Sequence, residues 1–98
     1  MKIIAPNQTL VTATVTSISD YPEQPDFHLV QLHILESRAL PMYIQMPGAE
    51  KGKDVSALLS RLMAIELGIA KDVLLECEIQ KISINLWRID FIITKGAH

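Results

Sequence analysis

Two glutamates in the second half of the chain are the first residues to consider for catalysis. Glu76 and Glu78 lie two positions apart in a segment that alternates apolar and polar residues, so a strand would place both carboxylates on one face. A carboxylate pair can supply a general acid and a general base. Such pairs are also common on the solvated face of a strand, and neither a GxSxG motif nor a glycine-rich phosphate loop accompanies them. The sequence therefore predicts no catalytic residues and no enzymatic activity.

Histidine and cysteine are the next candidates, as metal ligands. His28 and His33 are five positions apart on a predicted strand, so their side chains would point to opposite faces and could not share a metal ion. Cys77 has neither a CxxC partner nor a nearby histidine in sequence, which favours a small core residue. A single cysteine also excludes an intrachain disulfide framework. We expect neither a metal site nor a cofactor.

Length and composition predict how many domains the chain forms and in which cellular compartment it lies. The 98 residues are enough for one domain, residues 1–98, with residues 1–8 as a loose N-terminal arm because Pro6 would interrupt a strand. The net charge of −2 argues against the broad basic surface of many nucleic-acid-binding proteins, although not against a local patch. The first residues are too short for a signal peptide, and no apolar run reaches membrane-spanning length. These features predict a cytoplasmic chain with no membrane partner.

One helix is predicted to organise the chain, from Asp54 to Ile69. Apolar residues recur there at i, i+3, i+4 and i+7, beginning with Val55, which predicts an amphipathic helix packed against a sheet. Asp54 would cap the first free N–H groups, and Gly68 would supply the left-handed residue that often ends a helix.

Alternation on both sides of this segment predicts strands. Their predicted bounds are Thr9–Ser19, Phe27–Ser37, Met42–Met46, Val73–Ile82 and Leu86–Thr94. The residues predicted to face inward include Val11, Ala13, Val15, Val30, Leu32, Ile34, Leu75, Cys77, Ile79, Trp87, Ile89, Phe91 and Ile93. Ile18 breaks the alternation of the first strand, which predicts a bulge near Ser17. Ser83, Ile84 and Asn85 are predicted to form a turn.

The resulting order, strand-strand-strand-helix-strand-strand, resembles that of the OB-fold, a small Greek-key barrel. The resemblance covers nearly the whole chain and implies a mainly β fold with one helix, in a five-stranded OB-like barrel. One departure is that the first strand has no glycine, where OB-folds often place one to permit strong coiling. The alternative is a β-grasp-like or other α+β sheet with one helix packed across it.

The same resemblance implies a binding face. OB-folds carry oligonucleotides on the face of strands 2 and 3 and on flanking loops. Here that face would contain Gln31, His33, Tyr43 and Gln45, with Thr12, Thr14 and Thr16 alongside and Arg38, Lys51 and Lys53 in loops that could reach phosphates. Stacking of a base on Tyr43, and on His33, would complete a minimal site for single-stranded nucleic acid. The first functional hypothesis is therefore a non-enzymatic module that binds single-stranded nucleic acid weakly and in a salt-dependent manner.

A second hypothesis comes from apolar residues whose positions do not match the predicted inward-facing side of their strand or helix. They are Leu29, Leu35, Met63, Leu74, Leu86 and Ile92. A monomer rarely exposes a large contiguous apolar area. The alternative function is thus a protein-interaction module or an assembly subunit, with a symmetric homodimer as the simplest arrangement.

Overall fold

A computed structural model describes residues 7–97 of the chain. The elements are β1 (Thr9–Asp20), β2 (Phe27–Ala39), β3 (Asp54–Ser60), α1 (Arg61–Leu67), β4 (Val73–Ser83) and β5 (Leu86–Ala97). The predicted order of five strands and one helix is confirmed.

The strands close into a ring in the order β1-β2-β3-β5-β4, with β4 returning to β1. Neighbouring strands are antiparallel except β3 and β5, which pair in parallel at Ala57–Trp87 and Leu58–Arg88. This parallel contact is short and spans these two residue pairs. A mainly β fold with one helix, in which five strands close into a barrel-like ring, is therefore confirmed. The alternative, an α+β sheet with one helix packed across it, is not observed.

The core forms because β1, β2 and β4 alternate as the sequence predicts. The fully buried apolar residues on these strands are Val11, Ala13, Val15, Val30, Leu32, Ile34, Leu75, Cys77 and Ile79. The bulge predicted near Ser17 is confirmed, since the register of β1 with β2 shifts between Val15 and Ser17. The shift lets Ile18 pack against the core despite its break in phase.

The predicted helix from Asp54 to Ile69 is wrong over its first half. Residues Asp54–Ser60 form β3, which pairs with β2 from Phe27–Ser60 to His33–Asp54. Consecutive buried residues Ala57, Leu58 and Leu59 gave this strand a helix-like apolar pattern, but β2 and β5 provide its backbone partners. The helix begins after Ser60, whose hydroxyl accepts from the Met63 N–H at 3.3 Å, so Asp54 is not its cap. Gly68 ends it in the left-handed conformation, as predicted.

The predicted strand from Met42 to Met46 is also wrong. These residues belong to a long β2–β3 loop, residues 40–53, in which Ile44 makes one isolated parallel bridge to Asn7. Met42 has a φ of 69°, outside the extended region that a strand needs. Their alternation therefore reflects an exposed loop rather than a half-buried strand.

The inward phase predicted for β5 holds only for its first half. Trp87 and Ile89 are buried, but Phe91 and Ile93 are exposed. The register with β4 shifts by one residue in β5 between the Ile79–Ile89 and Glu78–Phe91 pairs, and again before Glu76–Thr94. Each extra residue in β5 switches the following side chains to the opposite face of the sheet. Ile92 therefore packs against the core instead of Phe91 and Ile93.

Residues 1–6 of the predicted loose arm lie outside the described residues, whereas Asn7 and Gln8 are buried. The Asn7 side chain accepts from Lys81 N at 2.7 Å and donates to Lys81 O at 3.2 Å, so it continues the β1–β4 ladder with a side chain. Over residues 7–97, α1 is too short to span a membrane.

Candidate binding face

The outer face of β1, β2 and β3 carries paired polar side chains. Thr14, His33 and Asp54 lie in one row across the three strands, and the His33 ring donates from Nδ1 to Asp54 Oδ1 over 2.8 Å. In the neighbouring row, Ser56 Oγ donates to Gln31 Oε1 at 2.9 Å. We call this surface the β1–β3 face. It contains Gln31 and His33 as predicted, and both are already held by β3 side chains.

A cleft of about 290 Å³ opens at one edge of this face. It lies between the β2–β3 loop, the first residues of β3 and the β4–β5 turn, and its lining residues are Gly48, Asp54, Val55, Ser56, Lys81, Ile84, Asn85 and Trp87. Asp54 and Ser56 belong both to the cleft and to the β1–β3 face. The two surfaces are therefore continuous.

Contacts between the loop and the barrel fix the shape of this cleft. Lys81 Nζ donates to Pro47 O at 2.8 Å and lies 5.6 Å from the centre of the Trp87 ring. Gly48 has a φ of 120°, a conformation open essentially to glycine alone, and a Cβ there would be 3.6 Å from both Trp87 Cζ2 and Lys81 Nζ. The φ of residue 48 therefore requires glycine, whereas the space beside Trp87 would admit a Cβ at ordinary van der Waals distance.

A carboxylate inside the loop adds to this order. The Gly48 N–H donates to the Glu50 carboxylate, at 2.9 Å to Oε2 and 3.2 Å to Oε1. This hydrogen bond lowers the pKa of Glu50 below its ordinary value, with smaller contributions from Lys53 and Lys81. The ionised carboxylate therefore stabilises the loop conformation beside the cleft.

The predicted cations lie around the face but are not all unpaired. Lys51 Nζ lies 3.7 Å from Glu36 Oε1, while Lys53 is exposed and its carbonyl accepts from Ile34 N. Arg38 was predicted in a loop but lies within β2, opposite Leu10 of β1. The local charge is consequently mixed rather than strongly positive.

Tyr43 and Gln45 were predicted on the sheet face and instead lie in the β2–β3 loop. Tyr43 is 47% exposed, and its neighbour Ile44 bridges to Asn7, which binds Lys81 at the base of the β4–β5 turn. These contacts link the Tyr43 segment to the strand that supplies Lys81 to the cleft. The structure therefore brings Tyr43 to the cleft end of the barrel rather than into the rows of the face.

None of the eight residues that line the cleft is among the residues that the sequence predicted for the site. A partial signal existed for Ile84 and Asn85, because residues 83–85 are a predicted turn and binding residues often lie on loops. Their approach to residue 48 has no local sequence signal, since it depends on how the long loop folds back on the barrel.

Glu76, Glu78 and Cys77, which were considered for catalysis or metal binding, do not line the cleft. Cys77 is buried, and desolvation, helped by the nearby Glu76 and Glu78 charges, raises the pKa of its thiol to about 12, so it is a core residue as predicted. Glu76 lies on the outer face of the barrel between Thr12 and Thr94. Within residues 7–97, no three His, Cys, Asp or Glu side chains are grouped as metal ligands.

Exposed apolar side chains lie both at the cleft end, where Ile84 lines the cleft, and on other parts of the surface. They are Met42, Tyr43, Ile44, Leu62, Ile65, Leu67, Ile84, Phe91 and Ile93. The residues predicted to form an apolar surplus are instead only partly exposed, and Met63 and Ile92 pack against the core. The described residues do expose apolar side chains, but these belong to other residues than the ones predicted from the sequence.

Comparison with known proteins gives no family for this chain. No protein-family model matches it, and no curated protein or solved structure matches it.

Proposed function

We propose that this chain is a non-enzymatic module that binds single-stranded nucleic acid along the β1–β3 face and into the adjoining cleft. The observation that carries the proposal is the continuity of the two surfaces through Asp54 and Ser56, at the end of the barrel where Tyr43 is exposed. A sheet face that leads into a concave site with polar walls offers a path for a strand and a pocket for one base.

The cations at this end of the barrel supply phosphate contacts. The cations there are Arg38, Lys51, Lys53 and Lys81, of which Lys51 lies beside Glu36 and Lys81 is hydrogen-bonded to Pro47 O. Glu36, Glu50 and Asp54 add opposing negative charge. If about two phosphates are neutralised, the slope of log K against log salt is about −1.4 for a single strand. Binding should therefore be weak and should fall about sevenfold between 50 and 200 mM salt.

Fluorescence anisotropy of a labelled mixed-sequence single strand at these two salt concentrations tests the proposal. Tyr43→Ala should weaken binding by the contribution of one stacked base, about 1–3 kcal/mol or roughly 5- to 150-fold. Tyr21→Ala is the matched control, because Tyr21 lies in the β1–β2 turn at the other end of β2, and should leave the affinity unchanged. No binding at low salt, or equal losses for the two variants, would reject this site.

A second candidate function is self-association, and the exposed apolar face of α1 favours it. Leu62 and Ile65 are exposed there, Ile65 by 72%. Lys95 Nζ lies 3.6 Å from the position of a Cβ on Gly68, so the end of α1 lies beside the part of β5 that exposes Ile93. A symmetric dimer would cover both apolar surfaces.

Sedimentation at micromolar concentration distinguishes this second function. Wild type should sediment as a dimer and Ile65→Glu as a monomer, because a charge at the centre of the patch would be desolvated on association. Ile84→Glu is the control, since Ile84 is equally apolar and exposed but lies at the β4–β5 turn. A monomeric wild-type chain would remove this candidate.

A further inference from the structure

The wall of the cleft formed by β3 carries hydrogen-bond acceptors. We propose that the cleft holds one nucleobase and prefers a base with an exocyclic amino group, cytosine over thymine. This inference rests on the proposed function and adds a base preference to it. Cytosine and thymine are similar in size, so the comparison isolates the hydrogen-bonding chemistry of the cleft.

Asp54 is the first acceptor. Within residues 7–97, its side-chain hydrogen bond uses Oδ1, which accepts from His33 Nδ1 at 2.8 Å. An ionised carboxylate only accepts hydrogen bonds, so Oδ2 can receive an N–H of a base but cannot donate to a base carbonyl. His33 fixes the orientation of this carboxylate from the adjoining strand.

Ser56 is the second acceptor, two residues further along β3. A hydroxyl has a single proton, and the Ser56 hydroxyl donates it to Gln31 Oε1 at 2.9 Å. Toward the cleft, Ser56 Oγ can therefore only accept a hydrogen bond through its lone pairs. Gln31 therefore acts as a positioning residue, since it determines which hydrogen-bonding role remains on Ser56.

Two acceptors on one wall discriminate between the pyrimidines. Cytosine presents an N4 amino group, which donates to carboxylates, whereas thymine presents the O4 carbonyl at the same position. Placing O4 against Asp54 would oppose two acceptors and leave both without a donor. Lys81 and Asn85 also line the cleft and carry N–H donors, which suit the carbonyl O2 present in both bases and so do not distinguish them.

The contacts of the cleft suit a fixed base site. Trp87 and Val55 supply buried apolar surface, and the Lys81–Pro47 hydrogen bond holds the loop against the turn. A site whose walls are held by their own contacts discriminates better than one that reshapes itself around each ligand.

The test compares labelled oligodeoxycytidine and oligothymidine of equal length by anisotropy at pH 7.5. We expect the cytidine strand to bind at least about fivefold more tightly, the lower end of the discrimination from one well-made base contact. Asp54→Asn should bring this ratio close to one, because an amide can donate to O4 as well as accept from N4. The ratio is the readout, since loss of a negative charge alone would strengthen binding of both strands alike.

Asp72→Asn is the matched control. Asp72 lies in the α1–β4 connection beside Val15, away from the residues that line the cleft, and its φ of 74° suits asparagine. This variant should keep the wild-type ratio. Ser56→Ala should also reduce the preference, and thermal melts establish that each variant is folded.

The outcomes separate the two levels of proposal. Equal binding of both strands overturns the base preference and leaves nucleic-acid binding intact, whereas binding of neither strand overturns the proposed function itself. A preference for cytidine that survives Asp54→Asn also overturns the inference, because the discrimination would then arise outside the cleft.

Discussion

Replacing Asn7 with alanine should destabilise the barrel strongly, although Asn7 lies outside the regular strands. Asn7 is 1% exposed and its side chain makes two hydrogen bonds to the backbone of Lys81, at 2.7 and 3.2 Å. Each is worth about 1 kcal/mol net, and a buried N–H left unpaired costs about 1–3 kcal/mol. We therefore expect Asn7→Ala to lower the free energy of unfolding by about 2–3 kcal/mol. For a domain of this size, that corresponds to a fall in Tm of about 10–20 °C.

Urea denaturation followed by tryptophan fluorescence measures this effect. Trp87 is the single tryptophan and is 2% exposed, so its emission reports loss of the core. Asn85→Ala is the matched control, because Asn85 is exposed at the β4–β5 turn, and should stay within about 0.5 kcal/mol of wild type. A change of less than about 0.5 kcal/mol for Asn7→Ala would refute the view that this side chain completes the β-ladder.

Two further predictions concern the loop and the core. Gly48→Ala should lower the free energy of unfolding by about 1–3 kcal/mol, because alanine is strained at a φ of 120°. Gly96→Ala is the control and should be nearly neutral, because the φ of Gly96 is not in the left-handed region. Thermal melts compare the two variants, and equal melting temperatures would contradict the role given to Gly48. The pKa of Cys77 is raised to about 12 in the folded chain, from 9.0 in the unfolded chain. Above pH 9.0 the unfolded chain therefore loses a proton that the folded chain keeps. The free energy of unfolding should then fall by about 1.4 kcal/mol per pH unit. Cys77→Ala should remove this component from urea titrations between pH 8.5 and about 10.5, and an unchanged slope would contradict it.

The candidate site could be predicted only in part from the sequence. Gln31 and His33 were placed on the outer face of β2 because strict alternation fixes which side each residue takes. Tyr43 was assigned to a strand that does not exist, and Lys81 and Asn85 were missed. Their positions depend on how residues 40–53 fold back to the β4–β5 turn, a long-range contact that leaves no periodic trace in either segment.

The sequence by itself determined the alternation of β1, β2 and β4, the burial of Cys77 and Trp87, and the end of the helix at Gly68. These features are local, since they follow from side-chain period, from volume and polarity, and from the freedom of glycine to adopt positive φ. The predicted order of elements agrees with the structure, but its third strand was placed at Met42–Met46, whereas β3 is Asp54–Ser60.

Only the tertiary structure decided the state of Asp54–Ser60 and the facing of β5. A segment with Ala57, Leu58 and Leu59 in succession satisfies a helix and a buried strand equally well, and the hydrogen bonds offered by β2 and β5 select the strand. Likewise, the extra residues in β5 are defined only against β4, and they move Phe91 and Ile93 to the surface. Closing a ring of strands sets these choices, because each backbone N–H and C=O must find its partner on a neighbour distant in the chain.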